Sequence, residues 1–282
     1  MKIIITGSSG FIGQALVNKL KKEKIILLSR DLSLKKKKKK FKLFYNFEKK
    51  LKSKIKCDIL IHTAGITPQK IHNYSNYKKI NYQGLINIIN NFEIKNKLIF
   101  LSTTDIYKNK FTNRIAKENS KINFNELSDY SKSKLLCERY LKNLDVKKYN
   151  FKKIVLRLPG IVGKNNHNNF ISNIVKNIIT RKKIIFFNNI YHVDYLVDFI
   201  KSILKKKFTK NFYLINVATN NPIKIKSIFK LINKKAIFEE KNLDKKESYS
   251  FILDVSNLRK HYKKLSTKKM IYKYFKSSGV AI

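Results

Sequence analysis

The sequence has no tryptophan, three prolines, eight glycines and two cysteines in 282 residues. Cys57 and Cys137 cannot form a disulfide framework, nor a metal site of their own. No apolar run approaches the roughly 18 residues that a membrane helix needs. The opening Met1–Ile5 run is too short for a signal peptide. Acidic residues are scarce as well: 18 Asp+Glu stand against 63 Lys+Arg, a formal net charge of +45. Hydrophobic residues still make up 43% and aromatics 12%, which excludes a disordered polycation. The length suits one large domain or two closely joined ones, with a sizeable core. These features together predict a cytoplasmic protein with no membrane association.

Arginine is the other shortage. The chain holds 57 Lys but 6 Arg, with 40 Ile and 31 Asn, so Lys, Ile and Asn fill nearly half of it. All three have A/T-rich codons, and drift of a genome toward A/T produces such a bias without selection on the protein. Arg is the preferred bidentate reader of guanine, so its scarcity argues against base recognition. The basic surface reads as a solvated lysine coat that binds polyanions weakly at low salt, with no specific nucleic-acid partner.

Short β-rich runs alternate with longer helical patterns. The strand-like runs are Lys2–Thr6, Ile25–Leu28, Asp58–His62, Lys97–Ser102, Lys153–Leu158 and Phe212–Val217. Helical periodicity marks Phe11–Lys22, Tyr77–Phe92 and Tyr130–Leu144. Strands apolar on both faces and separated by helices predict an α/β fold with a doubly wound parallel sheet. There is no internal repeat. Lys35–Lys40 repels itself and predicts an exposed loop after the second strand. Composition shifts sharply nowhere, so a second domain must be interleaved with the first.

Thr6-Gly7-Ser8-Ser9-Gly10-Phe11-Ile12-Gly13 follows the first strand directly and opens the first helix. Three of the eight glycines fall here at three-residue spacing. In this position Gly7 permits a sharp turn, Gly10 lets backbone approach a pyrophosphate, and Gly13 lets the helix pack on the strand. The helix N-terminus then favours negative charge. No Gly-Lys-Ser/Thr follows, which excludes a nucleoside-triphosphate loop of the Walker type. At the tip of the second strand stand Ser29 and Arg30, with Asp31 just beyond. An acid there suits the ribose hydroxyls of NAD and an Arg the 2′-phosphate of NADP. The order favours NADP, although Arg30 also fits as one more surface cation.

Tyr130 and Lys134 form a YxxxK pair, one helical turn apart on one face. Five such pairs occur, starting at Tyr45, Tyr74, Tyr130, Tyr149 and Tyr272. Context singles out Tyr130, which opens a helix 27 residues after Thr103, the end of the apolar run Leu98–Thr103.

These segments together resemble the NAD(P)-dependent epimerase/dehydratase family, the extended short-chain dehydrogenases/reductases that act on nucleotide sugars. Thr6–Gly13 resembles the family's glycine motif, and Asp58–Gly65 its fourth-strand motif "D-x-V-I-H-x-A-A/G". Asn81-Tyr82-Gln83-Gly84 resembles "N-x-x-G", and Leu101–Tyr107 resembles "S-S/T-x-x-V-Y-G". Further matches are Arg157–Gly163, Tyr191–Asp194, Asn216-Val217 and Asp254–Leu258, in the family's order. The resemblance implies a Rossmann domain over residues 1–157 plus about 190–218. It implies a smaller α/β substrate domain from 158–189 and 219–282. It further implies a nucleotide-sugar epimerase or reductase that works as a homodimer. Cofactor contacts would come from Gly7, Ser9, Gly10, Phe11, Ile12, Gly13, Arg30, Thr63, Ala64, Gly65, Asn81, Tyr130 and Lys134. Thr103, Tyr130 and Lys134 would be catalytic. Rival readings are another carbonyl reductase of this fold, or a Rossmann protein that binds NAD(P) without turnover; retention of Thr103, Tyr130 and Lys134 speaks against the second.

The chain departs from the family in places. Lys108 stands where a Gly is usual, Pro159-Gly160 replaces "F-N", and Tyr195 replaces the second Asp after Asp194. Relatives that eliminate water from C5 and C6 of a sugar carry Asp-Glu directly after the Thr; here Thr104 and Asp105 occupy those places, which argues against 4,6-dehydratase chemistry. His62 reads as a packing residue near the cofactor, not a metal ligand, because no partner has ligand spacing. Cys137 reads as a small core residue. The Asn165–Asn169 stretch reads either as a substrate entrance or as loop filler.

Overall fold

A computed structural model of the protein describes residues 1–29, 43–44, 53–68, 72–107, 114–164, 186–224 and 251–277. Arg30, the Lys35–Lys40 run, Lys108 and the Asn165–Asn169 stretch lie outside them. Strand β1 (Lys2–Thr6) is a run of isoleucines in which Ile3, Ile4 and Ile5 are all fully buried. A strand apolar on both faces is stable only with both faces covered, and β1 sits centrally in a seven-stranded sheet. The other members are β2 (Lys24–Ser29), β3 (Leu43–Phe44), β4 (Ile55–His62), β5 (Phe92–Thr103), β7 (Lys152–Leu158) and β11 (Phe212–Asn216). Their order is β11-β7-β5-β4-β1-β2-β3. The neighbours from β3 to β5 pair in parallel, with Ile4 opposite Ile26 on one side and Leu60 on the other.

Helix α1 (Phe11–Lys19) follows β1, and α2 (Tyr74–Tyr77), a π-helical turn (Lys78–Gln83) and α3 (Gly84–Asn91) form one continuous run. Helix α4 (Asp129–Asn143) is capped by Ser128, whose Oγ accepts from Ser131 N at 3.3 Å, and Asp129 in its first turn suits the helix dipole. Leu85, Ile88 and Ile89 of α3 and Cys137 and Leu141 of α4 join Leu60, Leu98, Phe100 and Val155 in one buried cluster. Cys137 is thus the core residue expected.

The predicted strands all form. The predicted helix ends differ. Phe11–Lys22 stops at Lys19, where Glu23 N turns back onto Leu20 O. Phe92 already belongs to β5, because its backbone pairs opposite Ile55 and its ring is buried; a tertiary partner replaces the last turn of helix. Helices α5 (Val193–Leu204), α6 (Ser256–Arg259) and α7 (Thr267–Ser277) complete the helical elements of the described residues.

The chain divides into two compact units. The first comprises Met1–Thr103, Leu127–Leu156 and Val197–Leu214; the second comprises Thr104–Glu126, Arg157–Leu196 and Ile215–Ile282. Among the described residues the second unit holds three strand pairs: β8 (Gly160–Val162) with β10 (Ile190–His192), β9 (Phe186–Phe187) with β12 (Ile223–Lys224), and β6 (Arg114–Ala116) with β13 (Phe251–Leu253). Buried side-chain amides hold it together. Asn188 accepts from Leu253 N at 2.9 Å and donates to Leu253 O at 2.9 Å and Thr219 O at 3.0 Å. Arg157 donates to the Tyr107 hydroxyl, which donates in turn to Asn216 Oδ1 at 2.9 Å.

Candidate functional site

The sheet order reverses at β1: the chain moves outward to β2 and then returns to β4 on β1's other side. Ligands of open α/β sheets bind beyond the strand ends at such a switch point. Here those ends are Thr6-Gly7 and His62-Thr63, and they are laced together. Thr63 Oγ1 donates to Thr6 O at 2.6 Å and to Gly7 O at 3.3 Å, and Ala64 N donates to Thr6 Oγ1 at 3.2 Å. Gly7 has φ +65°, and a Cβ there would lie 2.7 Å from the Ala64 backbone. Only glycine permits this contact. At Gly13 a Cβ would lie 2.1 Å from Gly7 O, so α1 packs directly on the turn.

Gly10 differs. A Cβ there would meet a single atom, Gly7 O at 3.3 Å, and Gly10 is the N-cap of α1 with no side-chain cap bond. Ser9 offers its carbonyl to Gln14 Nε2 at 2.6 Å. Phe11 and Ile12 begin the helix, and its first turn contains no acidic residue. The N-terminus of α1 therefore has no side-chain cap and no acid of its own first turn beside its backbone amides, a cradle suited to a pyrophosphate.

Asn81 lies in the π-helical turn and is 2% exposed. Its Oδ1 accepts from Ile66 N at 2.8 Å and its Nδ2 donates to Ile66 O at 3.1 Å and Ser133 Oγ at 3.1 Å. One side chain thereby fastens the segment after β4 to α4. Gly65 lies against it, since a Cβ there would stand 2.9 Å from Asn81 Oδ1 and 3.5 Å from Lys134 Nζ. The fold brings Gly7, Thr63, Ala64, Gly65, Asn81 and Lys134 to one end of the sheet.

Lys134 is 6% exposed. Its Nζ donates to Leu101 O at 2.9 Å and stands 4.9 Å from the centroid of the Phe100 ring. Burial pushes its ammonium pKa below the usual lysine range, and Cys137 and Glu138 push it back up. Tyr130, one turn earlier, is half-buried with its ring 5.8 Å from that of Tyr77. Thr103 is buried at the end of β5, two residues beyond the carbonyl that holds Lys134.

His62 is buried at the end of β4, stacked on Phe100 at 5.8 Å, with Nδ1 2.9 Å from Thr6 Oγ1. Burial first, and the Lys134 charge second, lower its pKa to about 3, so it stays neutral. It is a packing residue, and the described residues contain no metal-binding cluster of His, Cys, Asp or Glu. Thr104 is buried and Asp105 half-buried in a single 3₁₀ turn, Thr104–Tyr107. In the second unit His192 is buried and its pKa lowered to about 4, by burial and by Lys273, against the pull of Asp194.

Sequence reasoning missed Ile66, Phe100, Ser102, Ser133 and Glu138. Ile66 acts through its backbone and carries no residue-type signal. Glu138 had one, as a charged residue one turn after Lys134 on the same helical face. No described helix is long and apolar enough to cross a membrane.

The sequence profile of the NAD dependent epimerase/dehydratase family matches residues 3–215. No curated protein sequence matches the chain. Solved structures match it along almost its whole length. The UDP-glucuronic acid 4-epimerase of Bacillus cereus, solved with NAD, shares 18% identity at TM-score 0.71, over 98% of this chain and 99% of that one. The UDP-glucose 4-epimerase of Thermotoga maritima, solved with UDP-glucose, shares 19% at TM-score 0.71, over 99% of both chains. The UDP-Glc/GlcNAc 4-epimerase of Campylobacter jejuni shares 18% at TM-score 0.67, over 99% of both. At such identities these likenesses establish the Rossmann fold, not the substrate.

Proposed function

The chain belongs to the NAD dependent epimerase/dehydratase family, and from that premise we propose that it is a nucleotide-sugar epimerase or reductase using NAD(P). The observation that carries this reading is Lys134: a lysine ammonium buried at the switch-point end of the sheet, held by Leu101 O and adjoining the Gly65 turn. Burying a charge is costly, and a buried ammonium with a lowered pKa beside the glycine turns at the switch point marks a candidate functional site.

The glycine turn and the open N-terminus of α1 would hold the dinucleotide phosphates, with Thr63, Ala64, Gly65 and Asn81 beside the rest of the cofactor. The bound nicotinamide supplies a reversible hydride acceptor. Tyr130 takes the proton of a sugar hydroxyl as the carbon is oxidised and returns it on reduction. A tyrosine normally titrates near pH 10, and the Lys134 charge favours its phenolate. Thr103 hydrogen-bonds the same oxygen and aims it, and Lys134 also binds the nicotinamide ribose. Residues 158–189 and 219–282 would bind the sugar nucleotide. Arg30 favours NADP over NAD. We assign the active form as a cytoplasmic homodimer.

The test is direct. Purified protein is incubated with NAD or NADP and a panel of UDP-sugars, and products are resolved by NMR. Epimer formation or cofactor-dependent reduction of a keto-sugar is the expected outcome. Failure to bind either dinucleotide would sink the reading; binding without turnover on any sugar would convert it to the non-catalytic rival.

A further inference from the structure

Glu138 is the acidic side chain that is buried among the described residues. It is 3% exposed and lies one helical turn beyond Lys134 on α4. Its Oε1 accepts from Ser102 Oγ at 2.5 Å. The two buried charged side chains of α4 are thus fastened to successive residues of β5: Lys134 to the Leu101 carbonyl and Glu138 to the Ser102 hydroxyl. The next residue along β5 is Thr103, and the turn before Lys134 on α4 carries Tyr130.

We propose that Glu138 is a positioning residue for the reaction: tied to Ser102, its carboxylate keeps Lys134 an ammonium ion and locks α4 in register with β5 beside Thr103 and Tyr130.

The electrostatic surroundings of Lys134 favour this assignment. From β4 it faces His62, kept neutral at neutral pH by a pKa of about 3, and from β5 the Leu101 carbonyl and the Phe100 ring. From its own helix Cys137 and Glu138 act on it, and Tyr130 stands one turn earlier. Asn81, from the π-helical turn, is uncharged. Cys137 is pushed up to about 12, chiefly by burial, so at neutral pH it is a thiol without charge. Cys137 and Glu138 are the groups that favour the Lys134 charge against burial. With Cys137 neutral, Glu138 is the charged group that does so among the described residues. Nearby opposite charges typically move such a group by 1–3 pH units.

The coupling itself needs no substrate; its consequence for turnover rests on the function proposed above. The protein is therefore labelled with ¹³C at lysine Cε and titrated by NMR, with the Lys134 signal identified by its loss in Lys134→Arg. In Glu138→Gln the midpoint of Lys134 falls by about one pH unit. In Glu138→Asp, which keeps the charge but withdraws it by one methylene, it falls by less. Should Glu138→Gln not fold, the Glu138→Asp titration decides. An unmoved midpoint in the variant that folds overturns the proposal and leaves Glu138 a structural residue. With an active wild type, the alkaline limb of kcat/KM for Glu138→Gln moves to lower pH in step with Lys134. A moved midpoint with an unmoved limb overturns the role in the reaction while leaving the coupling. A wild type that turns over no nucleotide sugar counts against the proposed function and not against the coupling, which the NMR reads independently.

Discussion

Asn81 and Ile66 are paired as two peptide groups would be, amide to amide in both directions, at 2.8 and 3.1 Å. The segment after β4 thus takes its shape from a helix that follows it in sequence. Asn81→Asp replaces the donor facing Ile66 O with an acceptor. Breaking a buried pair of this kind costs about 1–3 kcal/mol, and we expect the dinucleotide Kd to rise about tenfold. Unchanged affinity, measured by NAD(P)H fluorescence, would show that this segment does not face the cofactor.

Two glycines of one motif are predicted to fail differently. Gly13→Ala drives a Cβ into the backbone of Gly7 and Ser8. It should cost about 3 kcal/mol or more, a fall in Tm of roughly 10 °C. At Gly10 a Cβ meets Gly7 O alone, at 3.3 Å; Gly10→Val should cost much less stability than Gly13→Ala while dinucleotide affinity falls at least about tenfold. A Gly10→Val protein with native affinity would dismiss the phosphate cradle.

Tyr130→Phe removes the ionisable oxygen and little else. We expect kcat to fall about 10²- to 10⁴-fold with cofactor binding retained. A near-native rate in stopped-time product assays would move the proton-transfer role to another residue.

Elimination of water across C5 and C6 needs an acid and a second base. Thr104 cannot supply a carboxylic proton, and Asp105 is shorter than Glu. We expect no 4-keto-6-deoxy product from any nucleotide hexose, a reaction that mass spectrometry would register as the loss of one water.

His62 and His192 carry a pH signature. Their native pKa values, about 3 and about 4, lie below the ordinary histidine value. Between those values and about pH 6.5 the unfolded chain binds protons that the native one refuses, so stability falls as pH is lowered through that window. Each group contributes a slope of about 1.4 kcal/mol per pH unit. In denaturant titrations from pH 6 to 4.5, His62→Asn should show a shallower slope than the wild type; equal slopes would place the acid sensitivity elsewhere.

The strands and the glycine turn were legible from residues alone. Ile3–Ile5 can be nothing but a strand buried on both faces, and Gly7, Gly10 and Gly13 mark a strand-to-helix turn because residues with side chains do not fit it. Tyr130 and Lys134 could be paired by helical period, as could the four other Tyr/Lys pairs. What distinguished them was tertiary. Lys153 of the Tyr149 pair is buried as well, so place and not burial singles out Lys134: its Nζ reaches the Leu101 carbonyl beside the Gly65 turn, and that depends on which face of α4 meets β5. The Ser102–Glu138 and Asn81–Ile66 bonds join residues 36 and 15 positions apart, and hydrogen bonds between distant residues leave no periodic trace in a sequence. Local sterics and hydrophobic period are properties of neighbouring residues, so the sequence by itself determined the elements. The protonation states of Lys134, His62 and Cys137 depend on the dielectric and charges that packing brings around them, and only the tertiary structure decided those.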